Sequence, residues 1–265
     1  MGGQGIMGIL NQGYPTRGYP GSKAELERAD GGRGPLYHFL KRLAYHDVVF
    51  LFDDFNNKDL NTVNDWTIDA GLTAEPWVRQ SRVNGTIRGS TGTTAASSGL
   101  QLIADSVDFY GDYNAGLEVR YRASVITELR LELGMVDVAS AVNTPMVNSL
   151  STPTFTGVTG GGLYVYNHTG STTTTGLYTI GSDVSAAKVA TTTNRPVAAT
   201  YQTVRMQFVQ DFVHLWVDGQ KLAESTATQM HQGGDALQFV FNVKNNSTTN
   251  QDIDIDYVAL WYDRQ

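Results

Sequence analysis

The chain has 265 residues, a formal net charge of -7 and no cysteine. This length suits one large β domain with an appendage, and such a body can bury a full core without cross-links. The absence of cysteine excludes a disulfide framework and a cysteine metal site, and the acidic balance argues against nucleic acid as a partner.

The first 50 residues differ in charge from the rest of the chain. They hold six basic and four acidic side chains, whereas the chain as a whole is negative. Sections of different electrostatic character are expected to have different neighbours. The opening, MGGQGIMGIL, lacks the basic start and long apolar stretch of a signal peptide, and no apolar run approaches a membrane span. We therefore expect no membrane partner and no export by the usual route.

Residues 1–47 form a glycine-rich arm that has no core of its own. Ten glycines fall within the first 34 residues, and such a stretch cannot bury enough apolar surface to fold alone. Ser22 and Glu25 have the spacing of a capping box, which favours a short helix. Pro35, followed by apolar residues at helical spacing, predicts an amphipathic helix over roughly 35–46. Its apolar stripe packs either on the body or on a partner.

The arm is expected to supply contacts with other chains. Glycine lets a backbone follow a groove closely, and tyrosine and arginine are enriched at the centres of interfaces. The side chains that we expect to bind a partner are the apolar, aromatic and basic ones of the arm: Ile6, Met7, Ile9, Leu10, Tyr14, Arg17, Tyr19 and Arg33.

From Val48 onwards the sequence takes on strand composition. Apolar and β-branched residues alternate with polar ones, and clusters of turn-forming residues separate the segments. Many strands without intervening helices are typical of an antiparallel sandwich or barrel. The predicted strands are 48–55, 100–104, 115–125, 127–138, 162–167, a stretch near 176–190, 203–210, 212–219, 237–243 and 253–262.

Two dipeptides predict tight hairpin turns. Asp218-Gly219 lies between two strand-like segments, and Asp-Gly favours the type I′ turn that matches the twist of paired strands. With the preceding segment 203–210, it predicts a three-stranded meander. Asn84-Gly85 is a second hairpin candidate of the same kind.

Several segments together resemble a known fold. These are the opening FDDFN, Trp66 soon after it, the pair AGLEVRYRAS and TELRLELGMVD, the late VRMQFVQDFVHLWVDGQKLAE and the closing DIDIDYVALWY. Over residues 48–265 they resemble laminin-G-like, concanavalin-like jelly rolls. The resemblance implies an all-β antiparallel β-sandwich, here with an extended N-terminal arm and a short helix. This fold hosts lectins, hydrolases and structural modules alike.

The whole chain, with its glycine-rich arm, resembles a tailed-bacteriophage virion protein of the capsid decoration or cement type. The resemblance implies a non-enzymatic structural protein, made in the host cytoplasm and placed on the capsid surface. Its partners would be the major capsid protein and neighbouring copies of itself, as a homo-oligomer on the particle. The alternative is a carbohydrate-binding, lectin-like module on a virion or tail, with a glycan as its partner.

Enzymatic relatives of this fold carry a Glu-x-Asp-x-Glu strand, whose carboxylates share one face and cleave glycosidic bonds. The nearest segment here is Glu128 to Glu132, with Arg130 between the two glutamates. An arginine in that position would hold both carboxylates ionised and leave no general acid. We therefore expect a salt-bridged row on the outer face of a strand and no catalytic residue. A glycan hydrolase or lyase would need a carboxylate pair elsewhere in a cleft.

Metal and cofactor sites are not expected. Three aspartates share one strand face: Asp252, Asp254 and Asp256. Alternate residues of a strand are too far apart to bind one calcium ion without other ligands, so we expect a solvated face and no calcium site. The five histidines show no paired ligand spacing. Five aromatic residues suit either a sugar platform or, as we expect, ordinary packing: Trp77, Tyr110, Tyr164, Tyr166 and Tyr178.

Overall fold

A computed structural model describes the β-rich part of the chain. The predicted helix over 35–46 and all eight residues expected to bind a partner lie outside the described residues, so those predictions stay predictions. The described residues are 48–56, 60, 62, 65–80, 85–94, 98–104, 108–110, 113–139, 141–147, 160–169, 172–183, 186–192, 196–209, 212–224 and 236–263.

The described residues form sixteen β-strands. No helix among them is long and apolar enough to cross a membrane. The strands are β1 (Val48–Asp53), β2 (Trp66–Ala70), β3 (Glu75–Arg79), β4 (Ile87–Ser90), β5 (Gly99–Ala104), β6 (Phe109–Tyr110), β7 (Gly116–Ala123), β8 (Leu129–Val136), β9 (Gly161–Thr169), β10 (Thr172–Asp183), β11 (Ala186–Thr192), β12 (Gln202–Val209), β13 (Phe212–Val217), β14 (Gln220–Glu224), β15 (Ala236–Asn245) and β16 (Asp252–Asp263).

Two antiparallel sheets pack face to face. The first sheet has the order β14-β13-β12-β7-β16-β4-β3, and β1 pairs with the C-terminal half of β16. The second sheet has the order β11-β10-β9-β8-β15-β5-β2, and β6 pairs with β15. The predicted antiparallel β-sandwich is confirmed.

The core lies between the two sheets because alternate side chains of each strand point inwards. Val204, Met206 and Phe208 share the inner face of β12, as predicted, and all three are fully buried. Tyr121 of the first sheet and Phe241 of the second sheet meet edge to face, with their ring centroids 5.6 Å apart. Such aromatic pairs contribute packing beyond simple area burial.

The Asp218-Gly219 turn and the meander are confirmed. Asp218 has φ 50° and Gly219 has φ 81°, as a type I′ turn requires, and Val217 pairs with Gln220 across the turn. The second predicted turn, at Asn84-Gly85, lies in a hairpin with a longer loop. β3 and β4 do pair, with Arg79 opposite Ile87, but the loop is longer than two residues and Asn84 lies outside the described residues.

The predicted strands do not include β2, β3, β4 or β6, which have two to five residues each, too short for a clear alternating pattern. The predicted stretch near 176–190 falls within a hairpin of β10 and β11.

Residues 141–147 of the same chain cover part of the outer face of the second sheet. Met146 and Val147 pack there on Leu163, Val165 and Val240, and all five are fully buried. The outer face of the first sheet carries charged and aromatic side chains instead, and the candidate site lies there.

Candidate functional site

A depression of about 370 Å³ lies on the outer face of the first sheet. We call it the pocket. Its walls combine two arginines, two carboxylates, a hydroxyl, two aromatic rings and a turn glycine: Glu118, Arg120, Thr203, Arg205, Trp216, Asp218, Gly219 and Tyr257.

Strand register brings these residues together from distant parts of the chain. Arg205 on β12 lies opposite both Glu118 on β7 and Trp216 on β13. Arg120 lies opposite Tyr257 on β16. A bulge between Ile255 and Tyr257 shifts the register there, so that Tyr257 points to the outer face although simple alternation from the buried Ile255 would turn it inwards. The pocket therefore depends on this bulge.

Glu118 is a buried carboxyl group at the base of the pocket. Its residue is 3% exposed, and the hydroxyl of Tyr257 donates to its Oε1 at 2.8 Å. Burial raises the pKa of Glu118 from 4.5 to about 7, although the Tyr257 hydrogen bond and the charge of Arg205 act in the opposite direction. Burial, followed by the nearby Glu118 charge, raises the pKa of Tyr257 above its usual value. Glu118 therefore changes charge near neutral pH while Tyr257 stays a donor.

Arg205 is held in place by an aromatic ring. Its guanidinium carbon lies 4.4 Å from the centre of the Trp216 ring, and its Nη2 donates to Gln207 Oε1 at 3.1 Å. The Lys221 amine lies 5.9 Å from the same ring centre. Cation–π contacts of this kind fix a planar guanidinium. Trp216 thus orients Arg205 beside Glu118.

Asp218 is the second carboxylate of the pocket. Its Oδ1 accepts the backbone N–H of Thr203 at 2.8 Å, and its Oδ2 accepts from Gln202 Nε2 at 3.4 Å. These contacts fix the carboxylate at the β13–β14 turn.

The three aspartates of β16 are paired with arginines. Asp254 is 1% exposed and bonds both Arg88 and Arg122, and Asp256 pairs with Arg120. Burial acts to raise the pKa of Asp254, but the hydrogen bonds and charges of the two arginines outweigh it and hold the pKa below its usual value. The predicted solvated face is wrong for Asp254, because arginines from β4 and β7 cover it.

The Glu128–Glu132 segment is also different from the expectation. Arg130 and Glu132 do form an ion pair, at 2.7 Å, but both are buried beneath residues 141–147. Glu128 precedes β8 and has φ 59°, so it does not join the row. The predicted Glu-Arg-Glu row is therefore wrong for Glu128, and only the Arg130–Glu132 pair forms. Residues 141–147 bury that pair on the outer face of the second sheet.

The aromatic residues considered as a sugar platform are mostly core. Trp77, Tyr164 and Tyr166 are almost fully buried. Tyr110 is half-buried, with its ring centroid 5.6 Å from that of Tyr113, and the side chain of Tyr178 is not described.

No metal-ligand cluster occurs among the described residues. His168 accepts the backbone N–H of Glu128 at 3.0 Å through Nδ1, and His214 packs beside Trp216. The other three histidines lie outside the described part of the chain.

Sequence reasoning did not single out Glu118, Arg205 or Tyr257. A signal was present in GLEVRYRA, where Glu118, Arg120 and Arg122 alternate with apolar residues and so share an outer face. Their meeting with β12, β13 and β16 depends on register, which a single sequence does not give.

The fold is similar to solved carbohydrate-recognising domains and glycosidases. The Emp47p carbohydrate recognition domain matches with a TM-score of 0.54 at 11% identity, over 82% of this chain and 95% of that one. A glycoside hydrolase family 16 mixed-linkage glucanase from Bacteroides ovatus matches with a TM-score of 0.52 at 13% identity, over 79% of this chain and 99% of that one. A protein of unknown function from Shewanella oneidensis MR-1 matches with 0.57 at 14% identity, over 88% and 95%.

These identities establish a concanavalin-like sandwich and no more. The fold occurs here in both lectin-like domains and enzymes, so it does not decide between them. None of these names points to a virion protein, and the capsid-decorating role stays a prediction. No family model matches the sequence, and no curated protein matches it either.

Proposed function

We propose that this chain is a carbohydrate-binding protein whose glycan site is the pocket over the first sheet. The observation that carries the proposal is the meeting of Glu118, Arg205 and Tyr257 on neighbouring strands of one face. The function corresponds to the lectin-like alternative drawn from the sequence, and the carbohydrate recognition domains among the structural neighbours support it.

The chemistry of the pocket suits a polyhydroxylated ligand. A sugar hydroxyl is both a donor and an acceptor, so it needs facing groups of both kinds. Arg120 and Arg205 supply donors, and Glu118 and Asp218 supply acceptors. Charged groups make the stronger hydrogen bonds, and rigid strands hold these groups in position before a ligand arrives.

On the opposite face of the sandwich, residues 141–147 cover part of the second sheet. Residues 146 and 147 are fully buried against the second sheet, and the polar side chains beneath them, Arg130 and Glu132, bond to this loop and to each other. This difference favours the first sheet as the binding face.

Binding to a glycan array, followed by calorimetry on the glycans retained, tests the proposal. We expect Arg205→Gln and Glu118→Gln to lower the affinity at least about tenfold, as loss of a buried charged hydrogen bond does. Glu75→Gln is the matched control, because Glu75 is an exposed carboxylate on edge strand β3. A full-length protein that retains no glycan, or variants that bind like the control, would overturn the proposal.

Glycan hydrolysis is a second candidate, carried by the raised pKa of Glu118 in a depression. Glycosidases need a general acid of this kind with a second carboxyl group across the scissile bond, and Asp218 is the second carboxyl group lining the pocket. Release of reducing ends from the glycans retained on the array, abolished in Glu118→Gln, would make the chain an enzyme. Retention without release keeps it a binding protein.

A further inference from the structure

An aromatic strip, with Phe52 as its exposed member, borders the pocket. Phe50 and Phe52 on β1 have nearly parallel rings, with centroids 6.2 Å apart and an interplanar angle of 8°. The Phe52 ring lies 5.9 Å from that of Tyr257, which also lines the pocket. The strip of Phe50, Phe52 and Tyr257 is therefore continuous with the pocket wall.

Phe52 is 47% exposed, although its neighbour Leu51 packs against the core. Apolar surface that is rimmed by polar groups is a common feature of ligand-binding sites. The strip lacks charged groups of its own, and the pocket supplies them at one end.

Register places the pocket and the strip along one line across the strands. Trp216 lies opposite Arg205, Arg205 opposite Glu118, Glu118 opposite Ala259, and Ala259 opposite Phe52. Four interstrand spacings separate the first and last of these residues, about 19 Å in all. This line is too long for a single sugar ring and suits a chain of them.

We propose that the ligand is an extended oligosaccharide that crosses the strands, with one part held by the charged groups of the pocket and another packed on Phe52 and Phe50. The proposal rests on the glycan-binding function of the pocket. Sugar rings present C–H groups on their faces, and these pack on aromatic rings, whose faces are electron-rich. Polar recognition at one end and ring packing at the other predict that affinity grows with chain length.

The test uses the full chain and a glycan array that carries mono-, tri- and hexasaccharides of the β-glucan, α-glucan, galactan and mannan classes. For the class retained, we expect the hexasaccharide to bind at least about tenfold more tightly than the monosaccharide. Phe52→Ala is expected to lower hexasaccharide affinity about tenfold and to leave monosaccharide affinity unchanged, since ring contacts contribute up to about 1.5 kcal/mol. Phe52→Tyr keeps the ring and should keep the affinity.

Leu72→Ala is the control for removal of an exposed apolar side chain, because Leu72 is 83% exposed in the turn between β2 and β3. Affinity that is independent of chain length, or unaffected by Phe52→Ala, overturns the extended site and leaves the pocket standing. A shift in oligomeric state in Phe52→Ala, without a change in length dependence, assigns the strip to a protein contact and also overturns it. Retention of no glycan by the full chain overturns both proposals.

Discussion

Two buried carboxyl groups on the same sheet face have pKa shifts of opposite sign. Glu118 has a hydroxyl donor and a single facing arginine, and burial raises its pKa to about 7. Asp254 has two arginines bonded to it, and they hold its pKa below its usual value despite burial. The number of bonded cations decides the sign of the shift. Asp254 therefore stays ionised and links neighbouring strands through its arginines, whereas Glu118 can exchange a proton near neutral pH.

Glu118 gives the stability of the protein a pH dependence of defined sign. Because the folded pKa of about 7 exceeds 4.5, the folded state binds the proton more tightly, and the stabilisation is fully present below pH 4.5 and lost as pH rises through 7. Such a shift corresponds to roughly 3 kcal/mol. We expect denaturant unfolding to give a smaller free energy at pH 8 than at pH 5.

In Glu118→Gln the side chain is uncharged at both pH 5 and pH 8, so the pH dependence that comes from Glu118 should disappear. The variant should therefore be more stable than the native chain at pH 8. Tyr257 keeps an acceptor in the amide oxygen. The exposed carboxylate variant Glu75→Gln should follow the native pH curve. Parallel curves for the native chain and Glu118→Gln would mean that Glu118 titrates normally.

At the scale of elements, the buried side chains of Arg130 and Glu132 bond residues 141–147 to the second sheet. Glu132 accepts the backbone N–H groups of Met146 and Val147 at 2.9 and 3.2 Å, and it also accepts Asn242 Nδ2 at 3.0 Å. Arg130 neutralises it. A buried ion pair that loses one partner leaves the other charge uncompensated.

We expect Glu132→Gln to lower the free energy of unfolding by about 3–5 kcal/mol and to increase hydrogen exchange of Met146 and Val147. Glu128→Gln is the control within the same segment: the Glu128 backbone N–H, rather than its side chain, bonds His168, and a change below about 0.5 kcal/mol is expected. Equal effects of the two substitutions would contradict the fastening role of Glu132.

How much the sequence could reveal differs between elements. Long strands such as β7, β12 and β16 show clear alternation, and the Asp218-Gly219 turn has a specific backbone requirement, so both were predictable. The short strand β6 carries too few residues for a pattern. The bulge that turns Tyr257 outwards and the loop that buries Glu132 depend on tertiary contacts. A single sequence does not show such contacts, so the positions of these two side chains could not be predicted.

At the scale of the whole molecule, we expect the sandwich to fold without the N-terminal arm. Every buried hydrophobic residue described lies between Phe55 and Trp261. The pocket and the aromatic strip also lie within the sandwich, so we expect glycan binding not to depend on residues 1–34.

Deletion of residues 1–34 tests this separation. Because the described core lies wholly outside the deleted segment, we expect the truncated chain to keep its circular dichroism spectrum, to unfold within a few degrees of the full chain and to retain any glycan affinity.

If the arm docks on a capsid, ordering its backbone costs roughly 1–2 kcal/mol per residue, which only a substantial interface offsets. Removing it should then abolish cosedimentation with any capsid that the full chain binds. Truncated protein that cosediments as well as the full chain would show that the arm is not the anchor, and unfolding of the truncated protein would show that the arm belongs to the sandwich itself.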